Sequence, residues 1–322
     1  MEKLVFWQIG EKVSLREAFG RILCHLAQER EDFVLFDADV GGGTGSKPFI
    51  KQYPQRVFQF GIAEQNMMAA AAGASTVGII PVVSTFAVFG LMRAHEQFRT
   101  LIAYPGLNVK VCCSHLGVDT GPDGATAQML EDLAIARSIP NVTVVVPADA
   151  NEFMAAFPKV LDHKGPVYMR IGRSLAPVIF DERHTFEIGK AALLKPGDDV
   201  TIVATGVMVE RSLRAHELLK ERGISARIIN LSTVKPIDTE ILRAAARETG
   251  AVVTAEDHNV HGGMGSAVAE VLAKYQPVPI SFVGIRDRFG CSGSPDELVS
   301  YFHLTADDIV QAAQEVIDRK DT

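Results

Sequence analysis

The chain has 322 residues, 47% hydrophobic and 22% charged, an ordinary composition for a folded protein of about two domains. A net charge of −7 with only short, mixed charge runs offers no basic surface for nucleic acid or for an anionic membrane. The longest apolar stretch, 69–83, is broken by Gly, Ser, Thr and Pro, and the charged N-terminus lacks an apolar leader; both point to a cytoplasmic protein.

Short β-branched apolar runs alternate with helical periods along the chain. Residues 33–37 predict a strand, followed by the glycine-rich 41–45. Residues 64–74 predict a helix rich in Ala and Met, 79–84 a strand, and 89–102 a helix with one apolar face. A strand is predicted over 109–114. It contains the adjacent Cys112 and Cys113, read as reduced structural residues. With Cys24 and Cys291 they form neither a CxxC pair nor a zinc-spaced set, so no metal ligands are assigned. A helix over 126–138, a strand over 142–146, a helix over 151–161 and a strand over 167–171 follow.

Periodicity lapses over 174–188, where Pro and charge mix with isolated apolar residues. A second alternating series then begins. Strands are predicted at 200–204, 226–231, 251–255 and 280–284, and helices at 210–222, 239–248, 266–274 and 305–319. The pattern implies an α/β protein: two doubly wound domains with mostly parallel sheets. The expected division is 1–180, a linker over 181–195, and 196–322. Ligands of such sheets sit at the carboxyl ends of the strands, which directs attention to the segments just after them.

The first such segment of interest is Phe60-Gly61-Ile62-Ala63-Glu64-Gln65. Glu64 opens an apolar, small-residue helix. It reads either as a first-turn carboxylate favoured by the helix dipole or as a shielded acid for proton traffic. The strand end Ser84-Thr85-Phe86 leads to Phe89, an aromatic pair suited to core packing or to a flat apolar ring. Gly41–Gly45 matches neither a dinucleotide fingerprint nor a P-loop.

These strings, in order with Asp123-Gly124-Ala125-Thr126, Ser138-Ile139-Pro140-Asn141, Val146-Pro147-Ala148-Asp149, Glu256-Asp257-His258, Gly262-Gly263-Met264-Gly265 and Asp287-Arg288-Phe289-Gly290, resemble the transketolase family over nearly the whole chain. The resemblance implies a pyrimidine-binding domain followed by the transketolase C-terminal domain. It implies thiamine diphosphate as cofactor, with Glu64 as the catalytic carboxylate bonded to the aminopyrimidine ring nitrogen. Phe86 and Phe89 would surround that ring, and Asp39 would lie beside the cofactor. Met92 stands where transketolases often carry Tyr.

On the sugar side, the resemblance implies Arg16, Arg173 and Asp123 as substrate-binding residues. The family motif usually reads Asp-Gly-x-Thr/Ser-His-Gln; here Ala127 replaces the histidine, and Ala neither donates a hydrogen bond nor carries charge. His115, at the preceding strand end, reads as a compensating contact or as a structural histidine. The Glu256-Asp257-His258 string implies a support or interface role rather than catalysis.

Full-length relatives also carry a diphosphate-binding domain with a Gly-Asp-Gly motif, which is absent here. Asp123-Gly124 followed by Asn151 is a false match, because Asn151 opens a helix. The expectation is therefore the C-terminal subunit of a split transketolase. An N-terminal partner subunit would hold the diphosphate and Mg2+ (or Ca2+), and the pair would assemble as α2β2 on sugar phosphate substrates. The Ala- and Met-rich helix 67–74 would be an interface element or core. Other expectations are a split transketolase for an unusual ketose (apulose 4-phosphate or a sulfosugar), a 2-oxo acid dehydrogenase β subunit, and a noncatalytic regulatory subunit.

Overall fold

The computed structural model describes residues 4–320. Its strands, in chain order, are β1 (Lys12–Val13), β2 (Phe33–Asp37), β3 (Val57–Gln59), β4 (Ile80–Phe86), β5 (Lys110–Ser114), β6 (Thr143–Val145) and β7 (Val167–Ile171). They continue as β8 (Ala176–Pro177), β9 (Ala192–Lys195), β10 (Val200–Ala204), β11 (Ala226–Asn230), β12 (Thr233–Lys235), β13 (Val252–Asn259) and β14 (Ile280–Ile285). A seven-stranded sheet runs β12-β6-β7-β5-β4-β2-β3, and a five-stranded sheet runs β14-β13-β10-β11-β9. Within them only β12 and β9 are antiparallel to their neighbours.

The central strands are buried along their whole length, as β5, β7 and β10 show. Helices cover both faces, so successive residues enter opposite cores. On one face of the larger sheet, Leu35, Val82 and Cys112 pack with residues of the Leu15–Leu26 and Ala150–Asp162 helices, Phe19 against Phe153 and Phe157. On the other, Phe36, Val83 and Cys113 pack with the Glu64–Ser75 helix. Cys112 and Cys113 therefore point apart and remain free thiols. Burial pushes the Cys112 thiol up to about 12, which suits a packing residue.

The same second core continues into the smaller sheet through Val203, Ile229, Leu231 and Met264. Beyond that sheet, the Met208–Glu221 and Ala306–Asp318 helices bury Ile202, Ile228 and Val253 in a third cluster. Strand β12 crosses back to pair with β6, so residues from the second alternating series complete the first sheet. The span 181–195, read as linker, ends in β9, which is paired to β11. Before it, β8 pairs with β1, and Asp149 accepts from the Ile179 and Phe180 amides at 2.6 and 2.8 Å. Asn151 donates to the carbonyls of Trp7 and Phe180 and accepts from the Trp7 amide, so its side chain ties straps together.

Two predicted helices differ. The 89–102 segment is two wide-turned π-helical stretches, Val88–Arg93 and Gln97–Ala103, in which the Ala94 amide reaches back to the Phe89 carbonyl. Its apolar face is kept by Leu91, Ala94, Phe98 and Ile102, so periodicity alone could not reveal the wider turns. The 126–138 helix is confined to Asp132–Ser138. Upstream, Gly121 and Gly124 take φ +76°, and the Gln128 amide is drawn to the carbonyls of Gly121 and Cys291, both at 2.9 Å. The 67–74 helix is largely core: Met67, Met68, Ala71 and Ala72 are buried within the chain.

At the carboxyl end of β7, Arg170 lies in a fully buried pair with Asp132, which also accepts from the Tyr168 hydroxyl at 2.7 Å. Removing one partner of a buried pair leaves an uncompensated charge. Asp132→Ala is therefore expected to cost about 3–5 kcal/mol, measured by denaturant unfolding.

Candidate functional site

The carboxyl ends of β2, β4 and β5 lie side by side, since Asp37, Ser84 and Cys112 share one register. Here the left-handed backbone of His115 (φ +63°) turns the chain out of β5, and β4 ends at Phe86. The Phe86 ring stacks on the His115 imidazole at 3.6 Å between centroids and on Phe89 at 5.8 Å. Gly43 backs this stack: a Cβ there would stand 2.7 Å from the Phe86 ring. The glycine run thus serves close approach to Phe86 and to Arg16, whose carbonyl oxygen would lie 2.1 Å from a Cβ on Gly45.

Glu64 is 1% exposed at the first position of its helix. Its Oε2 accepts from the Arg93 guanidinium at 2.9 Å. That guanidinium also lies over the Phe89 ring, 4.3 Å from its centroid. Arg93 thus couples the buried acid to the aromatic wall. Sequence reading missed Arg93; no motif singled it out, and its bond to Glu64 joins segments 29 residues apart. Glu64 Oε1 has no hydrogen-bond partner among the described residues.

The residues expected on the sugar side also meet. The Ser114 hydroxyl lies 2.8 Å from His115 Nδ1, and His115 Nε2 lies 3.1 Å from Asp123 Oδ2. An acidic acceptor at Nε2 fixes the tautomer with its proton there and leaves Nδ1 to accept from Ser114. Asp123 Oδ2 also pairs with Arg173 at 2.7 Å, and Arg173 donates to the Thr120 carbonyl at 2.6 Å. Burial opposes ionisation of Asp123, but Arg173 and His115 outweigh it and hold the carboxyl below its usual range.

Burial, and then the Arg173 charge, lower the His115 pKa to about 4, so the imidazole is neutral at neutral pH. Arg16 donates to the Gly43 carbonyl at 3.2 Å, while its buried Nε has no partner. Burial first, then the Arg173 charge, shift Arg16 downward against the opposing pull of Asp119 and Asp123, so the two cations share one electrostatic neighbourhood. Two close guanidiniums, one with an unmatched donor, suit an anion.

Asp39 stands apart. It is exposed, in left-handed backbone, and its amide donates to Gln59 at 3.3 Å. The buried carboxylate of that strand end is Asp37, which accepts from Gln59 and Val40 through Oδ2 and leaves Oδ1 unpartnered. Met92 is 42% exposed. Among the described residues, no group of three or more His, Cys, Asp or Glu side chains is placed to hold a metal ion. No described helix is long and apolar enough to cross a membrane.

Residues 11–178 match the transketolase pyrimidine-binding domain, and residues 189–309 match the transketolase C-terminal domain. The chain belongs to the transketolase family. It is 43% identical to a putative transketolase C-terminal section of Methanocaldococcus jannaschii, covering 97% of this chain and 98% of that one. It is 45% identical to a 6-deoxy-6-sulfo-D-fructose transketolase subunit of a Clostridium species, over 95% of each. A solved split-gene transketolase, described as an inactive β4 tetramer, superposes with a TM-score of 0.90 at 48% identity, covering 96% of this chain and 99% of that one. By contrast, the chain spans 51% of human transketolase, at 35% identity. The chain thus spans nearly all of these split relatives and about half of the full-length one.

His115 gives a direct electrostatic test by NMR titration. Removing the neighbouring cation with Arg173→Ala should raise its pKa from about 4, whereas Asp123→Asn should lower it further. An unfolded imidazole takes a proton near pH 6.5 but the folded one near 4, so its contribution to stability is full above 6.5 and lost as pH falls towards 4.

Proposed function

We propose that this chain is the pyrimidine-side subunit of a two-chain transketolase, moving a two-carbon ketol unit from a ketose phosphate to an aldose phosphate. The observation that carries this is Glu64: a buried carboxylate with Oε2 held by Arg93, Oε1 unbonded, and a stacked aromatic pair alongside. Those features fit an aminopyrimidine ring, flat and apolar on its faces with a basic nitrogen at its edge. Bound thiamine diphosphate would supply carbanion-stabilising chemistry at its thiazolium carbon.

The chain's own groups do the rest. Glu64 holds a proton at the pyrimidine nitrogen, and Arg93 fixes the carboxylate's orientation. Phe86 and Phe89 exclude water. Arg16 and Arg173 bind the anionic end of the sugar, while His115 and Asp123 hold its hydroxyls. A neutral His115 can donate through Nε2 once Asp123 shifts to the substrate.

The partner subunit would supply the diphosphate and its Mg2+, in an α2β2 assembly. Exposed apolar side chains flank the half-site in sequence, with Phe58 47% and Ile62 80% exposed, which suits a face that a partner covers. The split relative described as an inactive β4 tetramer supports the need for a second chain type. A second reading, an unusual ketose donor such as a sulfosugar or apulose 4-phosphate, is favoured by Ala127, which opens the place of the family's histidine. The relatives named for such donors support it.

The isolated chain is expected to show no ketol transfer, and addition of a diphosphate-domain partner to restore it. Robust turnover by the chain alone would reject the two-chain reading. In the assembled enzyme, Glu64→Gln should slow exchange of the cofactor's C2 proton by about 10²-fold or more, followed by NMR, with an unchanged melting temperature.

A further inference from the structure

The strand end of β13 carries three consecutive buried ionisable residues with three different tasks. Glu256 accepts from the Met264 and Gly265 amides at 2.6 and 2.8 Å, holding the start of the Met264–Tyr275 helix on its own sheet. His258 Nε2 accepts from the Ala134 amide at 3.3 Å. Asp257 reaches the other way, into the loop that follows β5. Its Oδ1 accepts from the Val118 amide at 2.9 Å and its Oδ2 from the Asp119 amide at 3.0 Å.

The loop is shaped to receive that carboxylate. Gly117 has φ +63°, and a Cβ there would lie 2.2 Å from Asp257 Oδ2. Beyond the two clamped amides, the Asp119 carbonyl accepts from the Ser174 hydroxyl at 2.7 Å, and the Thr120 carbonyl accepts from Arg173. Three residues later comes Asp123, paired to both His115 and Arg173. The far end of the loop is buttressed from the same side. Gln128 bonds the Cys291 carbonyl, and a Cβ on Gly124 would meet the Ser292 hydroxyl oxygen at 2.5 Å.

We infer that Asp257 is a positioning residue for the sugar donor: it fixes the loop that sets Asp123, and through it His115 and Arg173, against the substrate. This rests on the donor-side reading of Asp123, His115 and Arg173 given above. A carboxylate is suited to the task, because it offers one oxygen to each of two successive amides, whereas a carboxamide presents an oxygen to one and a donor to the other. Glu64 and Phe89 lie on other segments, and of the aromatic pair only Phe86 touches His115. Loss of the clamp should therefore disturb donor binding and leave cofactor activation alone.

The test uses the assembled enzyme with its partner subunit and the variants Asp257→Asn, Gly117→Ala and Asp123→Asn. Amide exchange at Val118 and Asp119, donor KM, kcat and exchange of the cofactor's C2 proton are measured. Asp257→Asn should speed amide exchange and raise donor KM about tenfold, the effect of one lost charge-assisted hydrogen bond, with C2 exchange unchanged. Gly117→Ala attacks the same contact from the loop and should give the same split; it decides the matter if Asp257→Asn fails to fold. Unchanged amide exchange, or faster exchange with unchanged KM, overturns the inference. So does a parallel loss of KM, C2 exchange and melting temperature, which would mark general structural support. If Asp123→Asn raises donor KM while the clamp variants do not, only the positioning role falls. If Asp123→Asn also leaves KM unchanged, the donor-side reading falls and the inference with it.

Discussion

The buried pair of Arg170 and Asp132 is the constraint on which the arrangement turns. Arg170 sits at the carboxyl end of a central parallel strand, where side chains that do chemistry are also exposed to domain contacts. Its guanidinium bonds Asp132 and also donates to the Asp257 carbonyl at 3.2 Å. One charged group thus joins β7, the Asp132–Ser138 helix and β13. Burying such a pair is costly and brings little net stability, while losing either partner leaves an uncompensated charge among the joined elements. The loop after β5 is tied to the same point, because Asp257, whose carbonyl Arg170 holds, accepts from the Val118 and Asp119 amides.

Around this fixed point, polar residues divide by how much water they meet. The acids that hold backbone amides, Asp149, Glu256 and Asp257, are buried, and burial raises all three above their ordinary range, to about 6, 7 and 6. Asp123, bonded to a guanidinium near the surface, moves the opposite way. The same side-chain chemistry therefore gives rigid scaffolding in one place and an available partner for a ligand in another, with solvent and neighbouring charge as the difference.

Much of the strand order was legible from sequence, because strands buried on both faces read as unbroken apolar runs. Val200–Ala204 and Val167–Ile171 match their predicted bounds. The short pieces β1, β3, β8, β9 and β12 were not legible, since two to four residues carry no period. The wide turns near Phe89 were hidden because they keep the same apolar face, and the late start of the Asp132–Ser138 helix because Gln128 is drawn to the distant Cys291 carbonyl. In the site, Glu64, Phe86 and Phe89 were visible through their motif. The Arg93 contact and the reach of Asp257 required the third dimension, as did the burial of Asp37 beside the exposed Asp39.

Strand β12 has a consequence for how this chain can be cut. Its backbone is drawn from beyond the second sheet's own β11, yet it covers the outer edge of β6. A fragment ending anywhere in 181–195 would keep the Leu15–Leu26, Glu64–Ser75 and Ala150–Asp162 helices and still lose that cover. Its β6 edge would then offer free amides and carbonyls to any passing chain. Trimming to the first domain would therefore expose a template for edge-to-edge association.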